Sequence, residues 1–72
     1  METINFSNLK QREQKILKLY IEMNQFESNL IEFDINKWST INSSSDLDYS
    51  IKEMAIRLSE KYNGIIIIDI DS

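Results

Sequence analysis

The chain has no cysteine, no histidine, no proline and a single glycine. Without cysteine no disulfide can staple a small fold, and without cysteine or histidine the usual ligands of a structural zinc are missing. A nucleophile needs an activating base held by a third group. Ser43, Ser44 and Ser45 cluster in one turn, and no histidine stands ready to activate any serine of the chain. One glycine cannot build a glycine-rich phosphate loop. The longest apolar run, Ile65–Ile68, falls far short of the ~20 residues of a membrane span. Met1-Glu2-Thr3 lacks the basic start and apolar stretch of a secretory signal. A cytoplasmic, non-enzymatic protein is therefore expected, with no cofactor, no metal, no membrane contact and no small-molecule substrate. Asn5-Phe6-Ser7 and Asn42-Ser43-Ser44 match the glycosylation acceptor pattern, but without a secretory signal both read as chance.

What is present is the material of one small globule. Seventy-two residues, 42% hydrophobic and 28% charged, suit a single folded domain rather than a disordered segment. A domain of this size buries only about 60% of the surface its unfolded chain exposes. Apolar packing must carry the fold, and a partner could help. The net charge is −4 and is unevenly spread. Residues 1–24 hold four cations (Lys10, Arg12, Lys15, Lys18) against three acids; residues 25–72 hold four cations against nine acids. Only the first third offers the basic patch usual in a nucleic-acid binder.

Hydrophobic spacing then places the elements. Leu9, Ile16, Leu17, Tyr20, Ile21 and Met23 or Asn24 recur at helical intervals, so a helix is predicted over about 9–24, capped by Asn8 with Gln11 as the returning partner. Leu30 to Ile35 alternates, with Ile31, Phe33 and Ile35 on one side and Glu32 and Asp34 on the other, which predicts a half-buried strand over about 30–34. Asp34 can cap a short helix over about 35–41. Phe33 and Trp38 then fall at the two positions of a hydrophobic staple. Asn42 to Ser45 reads as a turn. Ser45 and Asp48 fit a capping box that opens a helix over about 46–62, with Leu47, Ile51, Met54, Ala55, Leu58 and Tyr62 on its inner face. Asn63-Gly64 is a stop signal. A last strand over about 65–70 follows, with Ile66, Ile68 and Ile70 on one face and Ile65, Ile67, Asp69 and Asp71 on the other. The expected fold class is α+β and winged-helix-like: three helices and two short strands in one domain, with only the first strand of a wing supplied.

The run Glu13-Gln-Lys-Ile-Leu-Lys-Leu-Tyr-Ile21 resembles the first helix of plasmid initiator replication proteins. The spacing Phe33-x-Ile35, then Tyr49-x-x-Lys52-x-x-Ala55-x-x-Leu58, then the isoleucine strand, resembles the same family over about residues 9–68. The resemblance implies a winged-helix domain of a mobile element that dimerises and contacts repeated DNA sites. In such domains the second helix of the helix-turn-helix can lie in the major groove. Tyr49, Ser50, Lys52 and Arg57 on that helix, beside Glu53, are then the candidate DNA contacts. Lys10, Lys15 and Lys18, with Gln11 and Gln14, form a second candidate stripe that could position phosphates. Both sets also read as ordinary solvated helix surface. Asp46 and Asp48 at the start of the same helix repel phosphates, and the acidic balance weakens any sequence-independent attraction.

Three further features have two readings each. Ile65, Ile67 and Asp69 in the last strand form a candidate partner edge, because an unpaired strand favours pairing with another chain. Homodimerisation or a protein complex through that edge is expected. Asp69 and Asp71 with Glu32 and Asp34 could gather around a divalent cation, or form a solvated acidic sheet end whose charges disfavour directly opposed registers. Trp38 is either a stacking platform for single-stranded nucleic acid or a core staple. Two functions follow: a replication-initiator-type domain acting mainly through dimerisation or recruitment with secondary DNA contact, or a small acidic phage or mobile-element inhibitor that binds a host protein and blocks its DNA surface.

Overall fold

The computed structural model describes residues 1–71. Among these residues the elements run β1 (Thr3–Asn5), α1 (Gln11–Asn24), β2 (Leu30–Asp34), α2 (Ile35–Ser39), α3 (Asp46–Leu58) and β3 (Ile65–Asp69), with a 3-10 turn at Phe6–Asn8. The fold is a small mixed α+β domain of three helices and a three-stranded sheet rather than the two strands expected. The additional strand is β1. It pairs parallel to β3, with Ile4 beside Ile68, while β2 pairs antiparallel on the other side, with Ile31 beside Ile68 and Phe33 beside Ile66.

The strand order is therefore β1-β3-β2, and β3 is the centre of the sheet. This corrects the expectation that Ile65, Ile67 and Asp69 line a free edge. Ile67 and Asp69 have neighbours on both sides, and Ile65 stands opposite Asp34. The physical reason lies in the composition of β3. A run of β-branched residues prefers the pleated conformation and packs best where both flanks and one face are covered.

Ile66 and Ile68 are wholly buried, and Ile4, Ile31 and Phe33 join them on the inner face of the sheet. The helices cover that face with Leu17, Ile35, Ile51, Met54, Ala55 and Leu58. Phe6 and Leu9 close one end of the core.

The local signals in the middle of the chain operate as expected. The Asp34 carboxylate accepts from the Lys37 N–H at 3.1 Å, which caps α2. Phe33 and Trp38 stack as the staple, with parallel rings 6.4 Å apart. Trp38 also meets Tyr20 edge-on at 5.4 Å, and Tyr20 meets Phe26 at 5.7 Å. The ring of Trp38 is thus engaged by the fold rather than presented as a free platform. α2 ends at Ser39, before the expected Ile41, because the Thr40 hydroxyl turns back to donate to the Asn36 carbonyl at 2.8 Å. α3 is capped by the Ser45 hydroxyl. The other half of its box runs through a relay: Ser45 N–H donates to the Ser43 hydroxyl, which donates to Asp48.

Helix ends differ from expectation elsewhere. α1 opens at Gln11, not behind Asn8, because Leu9 is buried in extended backbone and Glu13 reaches back to accept from the Lys10 N–H at 3.1 Å. α3 ends at Leu58, although turn-type bonds to the Leu58 carbonyl from Lys61 and Tyr62 carry the chain onward. Gly64 then adopts φ +69°, a region that only glycine enters without strain. Its carbonyl accepts from the Ile35 N–H, which ties the start of β3 to the start of α2.

Truncating Ile4 tests whether β1 belongs to the core. Ile4→Ala is expected to cost about 2 kcal/mol, the low end for a buried isoleucine because the strand lies at the sheet margin. Urea unfolding reads this directly, and an unshifted midpoint would remove β1 from the folded unit.

Tyr20 gives a pH signature. Burial, and secondarily the negative charge of Asp48, raise its pKa from the ordinary 10.0. The folded state therefore holds the phenolic proton more tightly than the unfolded state. Its contribution is intact below pH 10.0 and is lost as pH rises through the raised pKa. The urea midpoint should fall as pH rises above 10.0, and Tyr20→Phe should flatten that decline.

Candidate functional site

Of the expected nucleic-acid contacts, Lys10, Ser50 and Arg57 line one groove between α1 and α3. Arg57 projects from α3 onto α1, where Nε and Nη2 donate to the two carboxylate oxygens of Glu13 at 2.5 and 2.6 Å. Glu13 is only 7% exposed and also accepts the Lys10 N–H. This two-pronged geometry is the strong form of an arginine–carboxylate contact. Its hydrogen bonds, ahead of other effects, raise the Arg57 pKa, so the guanidinium stays charged throughout the working range. Arg57 is thus a tie between helices rather than a free cation.

The rest of α3 carries little attraction for phosphate. Ser50 is half-buried on the α1 side, and Lys52 is half-buried. The exposed positions are Asp46, Tyr49, Glu53 and Ile56, so acids and apolar groups occupy the surface that would meet DNA. On α1, Lys10, Lys15 and Lys18 are exposed as expected, but the Lys18 ammonium lies 5.6 Å from the centre of the Phe6 ring. A groove of about 220 Å³ runs between α1 and α3. Its charged lining is mixed, with Lys10, Arg12 and Arg57 against Glu13 and Glu53, so it has no single sign to offer a ligand.

A coherent surface lies on the opposite side of the sheet. Side chains alternate across the strands, so the residues that do not enter the core share the outer face. β3 contributes Ile65, Ile67 and Asp69; β2 contributes Leu30, Glu32 and Asp34; β1 contributes Thr3 and Asn5. Ile67 is the centre, with Thr3 beside it on one flank and Glu32 on the other. Leu30 and Ile65 remain 55% and 43% exposed.

The register sets each acid against an uncharged residue. Asp69 faces Leu30, Glu32 faces Ile67, and Asp34 faces Ile65. The expected avoidance of directly opposed carboxylates is met. Among the described residues no cluster of acids is arranged to hold a metal ion. No lysine or arginine occurs in the three strands, so the face is apolar at its centre and acidic around it.

The sequence placed Ile65, Ile67 and Asp69 on one face of the last strand but assigned them to a free edge, which the central position of β3 corrects. Glu32 and Asp34 were grouped with Asp69 at an acidic sheet end, but Leu30, Thr3 and Asn5 were missed as members of the same surface. The alternation of β2 could have placed Leu30 there. Thr3 and Asn5 had no such signal, because a three-residue strand is too short to show a period.

Comparison with family models, with curated proteins and with solved structures yields no match. Among the described residues no helix is long and apolar enough to cross a membrane.

The Glu13–Arg57 tie leads to an asymmetric mutational outcome. Arg57→Ala leaves a buried carboxylate without its cation and should cost about 2–3 kcal/mol, below the range for fully buried pairs because Arg57 is partly solvated. Glu13→Ala frees a guanidinium that can turn to water and should cost about 1–2 kcal/mol. A double-mutant cycle by urea unfolding should give a coupling of about 1–2 kcal/mol, and strictly additive costs would contradict a structural role for the pair.

Proposed function

We propose that this protein is a small acidic protein-binding domain that docks its open sheet face on a basic surface of another protein. The observation that carries this reading is the apolar patch centred on Ile67, bordered by Glu32, Asp34 and Asp69 with no cation in the three strands. An apolar centre within a charged rim is the usual anatomy of a protein interface. The net charge of −4 adds long-range steering towards a cationic partner. Such a domain fits a phage or mobile-element inhibitor whose host target uses a basic surface to hold DNA, and covering that surface would block it.

A second reading has its own support. The order α1, β2, α2, α3, β3, with β2 antiparallel to β3, is the order expected of a winged-helix domain of replication-initiator type. On that reading β1 takes the flank of β3 that a second wing strand would fill. The role would be dimerisation or recruitment, with DNA contact secondary, since Arg57 is occupied and the exposed row of α3 is acidic.

Two measurements separate the readings. Gel shifts on duplex and single-stranded DNA at low and moderate salt should show no complex; a complex weakened by Lys52→Ala would favour the initiator reading instead. In retrieval from host lysate, Ile67→Lys with Asp69→Lys should lose any specifically retained protein by at least tenfold, while Lys10→Ala with Lys15→Ala should keep it. Retention unchanged by the sheet-face substitutions would overturn the docking assignment.

A further inference from the structure

The two margins of the sheet are unequal. β2 is the longer outer strand, and its outward backbone groups follow from the register. Ile35 N–H donates to Gly64 and Ile70 N–H donates to the Asn29 carbonyl, so the odd-numbered residues of β2 direct their N–H and C=O groups towards β3. The even-numbered residues, Leu30, Glu32 and Asp34, direct theirs away from the sheet. The Leu30 N–H is met by the hydroxyl of Ser28 at 3.1 Å. Among the described residues no strand lies beyond β2, and no bulge or proline interrupts it. The Glu32 N–H and C=O thus stand at the middle of an open ladder.

The side chains next to that ladder decide what can complete it. Glu32 and Asp34 flank it on the open face with no neighbouring cation in the strand. A second copy of β2, added antiparallel about a two-fold centred on Glu32, would set Glu32 against Glu32 of the second copy. One step towards the strand end sets Glu32 against Asp34 twice. Like charges directly opposite destabilise a pairing. A strand that places lysine or arginine beside Glu32 and Asp34 gains at both positions, and its alternate residues fall on the side of Ile31 and Phe33, where apolar groups fit.

We propose that the outer edge of β2 is a strand-addition site for an extended segment of a partner protein in which basic and apolar residues alternate. The site rests on the protein-binding reading above and specifies how the partner engages: by main-chain pairing along β2, with its basic side chains beside the acids of the open face. The same acids disfavour the two self-pairing registers that set carboxylates opposite each other.

The test uses the full chain and a synthetic peptide of alternating lysine and valine, about eight residues long, to match the length of an ordinary strand. Fluorescence anisotropy should show saturable binding that weakens with salt. A peptide with glutamate in place of lysine should not bind, and Glu32→Lys, an exposed substitution checked for fold by circular dichroism, should weaken the lysine peptide at least tenfold. The decisive probes are two versions of the peptide methylated on alternate backbone nitrogens, one in each frame. In strand addition one frame blocks the N–H groups that face β2 and should lose binding at least tenfold, while the other frame should bind as before. Equal binding in both frames, or no binding of the unmethylated peptide, would overturn the edge site. So would a wild-type dimer that excludes the peptide. If the frames do not differ but Ile67→Lys with Asp69→Lys still releases the retained protein, the protein-binding function stands and the strand-addition site alone falls.

Discussion

The structure depends on β3 being paired along both sides. Ile66 and Ile68 can disappear into the core only because β1 and β2 hold the strand flat against the helices. The residues at Ile68 show the constraint most directly, since Ile4 and Ile31 flank it from opposite strands and all three point inward. A two-stranded sheet is marginal in water and gains independent stability from a third strand or from packing on helices. This chain has both. The fixed register then determines the outer face as well, because alternation leaves no freedom over which residues remain outside. The core pattern and the candidate docking face are two consequences of one pairing.

The second constraint joins the helices. α1 and α3 are held by apolar contact and by the two-pronged Glu13–Arg57 pair, which connects positions 44 residues apart in sequence. Glu13 serves two partners at once, the Lys10 N–H at the start of α1 and the guanidinium from α3. The onset of one helix and its angle to the other are therefore set by the same carboxylate. The pair contributes less net stability than its short distances suggest, because Glu13 leaves water almost wholly and Arg57 in part. For function, its consequence is that the Arg57 guanidinium is committed to Glu13.

The sequence was legible wherever the signal was local and periodic. The Asp34 cap and the Phe33–Trp38 staple depend on spacings of three to five residues, and both occur. The inward stripe of α3 and the alternation of β3 were readable for the same reason. β1 was not, because Thr3-Ile4-Asn5 offers one apolar residue and no period; its strand character comes from Ile68, far along the chain. The cap of α1 was misplaced because burial of Leu9 outweighed the capping tendency of Asn8. Arg57 looked like a free contact on a helix face because nothing local marks Glu13 as its partner. The candidate surface was half legible: its residues were visible in β2 and β3, but their union required knowing which strand stood in the middle.

Centrality of β3 also changes how the exposed isoleucines should be understood. On a free edge, Ile65 and Ile67 would invite pairing with any strand, including a second copy, which is a liability that natural proteins suppress. On the face of a central strand the backbone of Ile67 is already paired, its N–H donating to the Glu2 carbonyl on the β1 side. The side chains of Ile65 and Ile67 then remain to interact, and those are bordered by Glu32, Asp34 and Asp69. On the proposed docking, selectivity would arise from what the acids reject. An apolar partner gains at Ile67 but must desolvate the surrounding carboxylates without compensation, which is costly. An acidic partner is repelled before contact. A partner with cations placed around an apolar centre meets both requirements, and the chain's own exposed cations, Lys10, Arg12, Lys15, Lys18, Lys37 and Lys61, all lie outside the three strands.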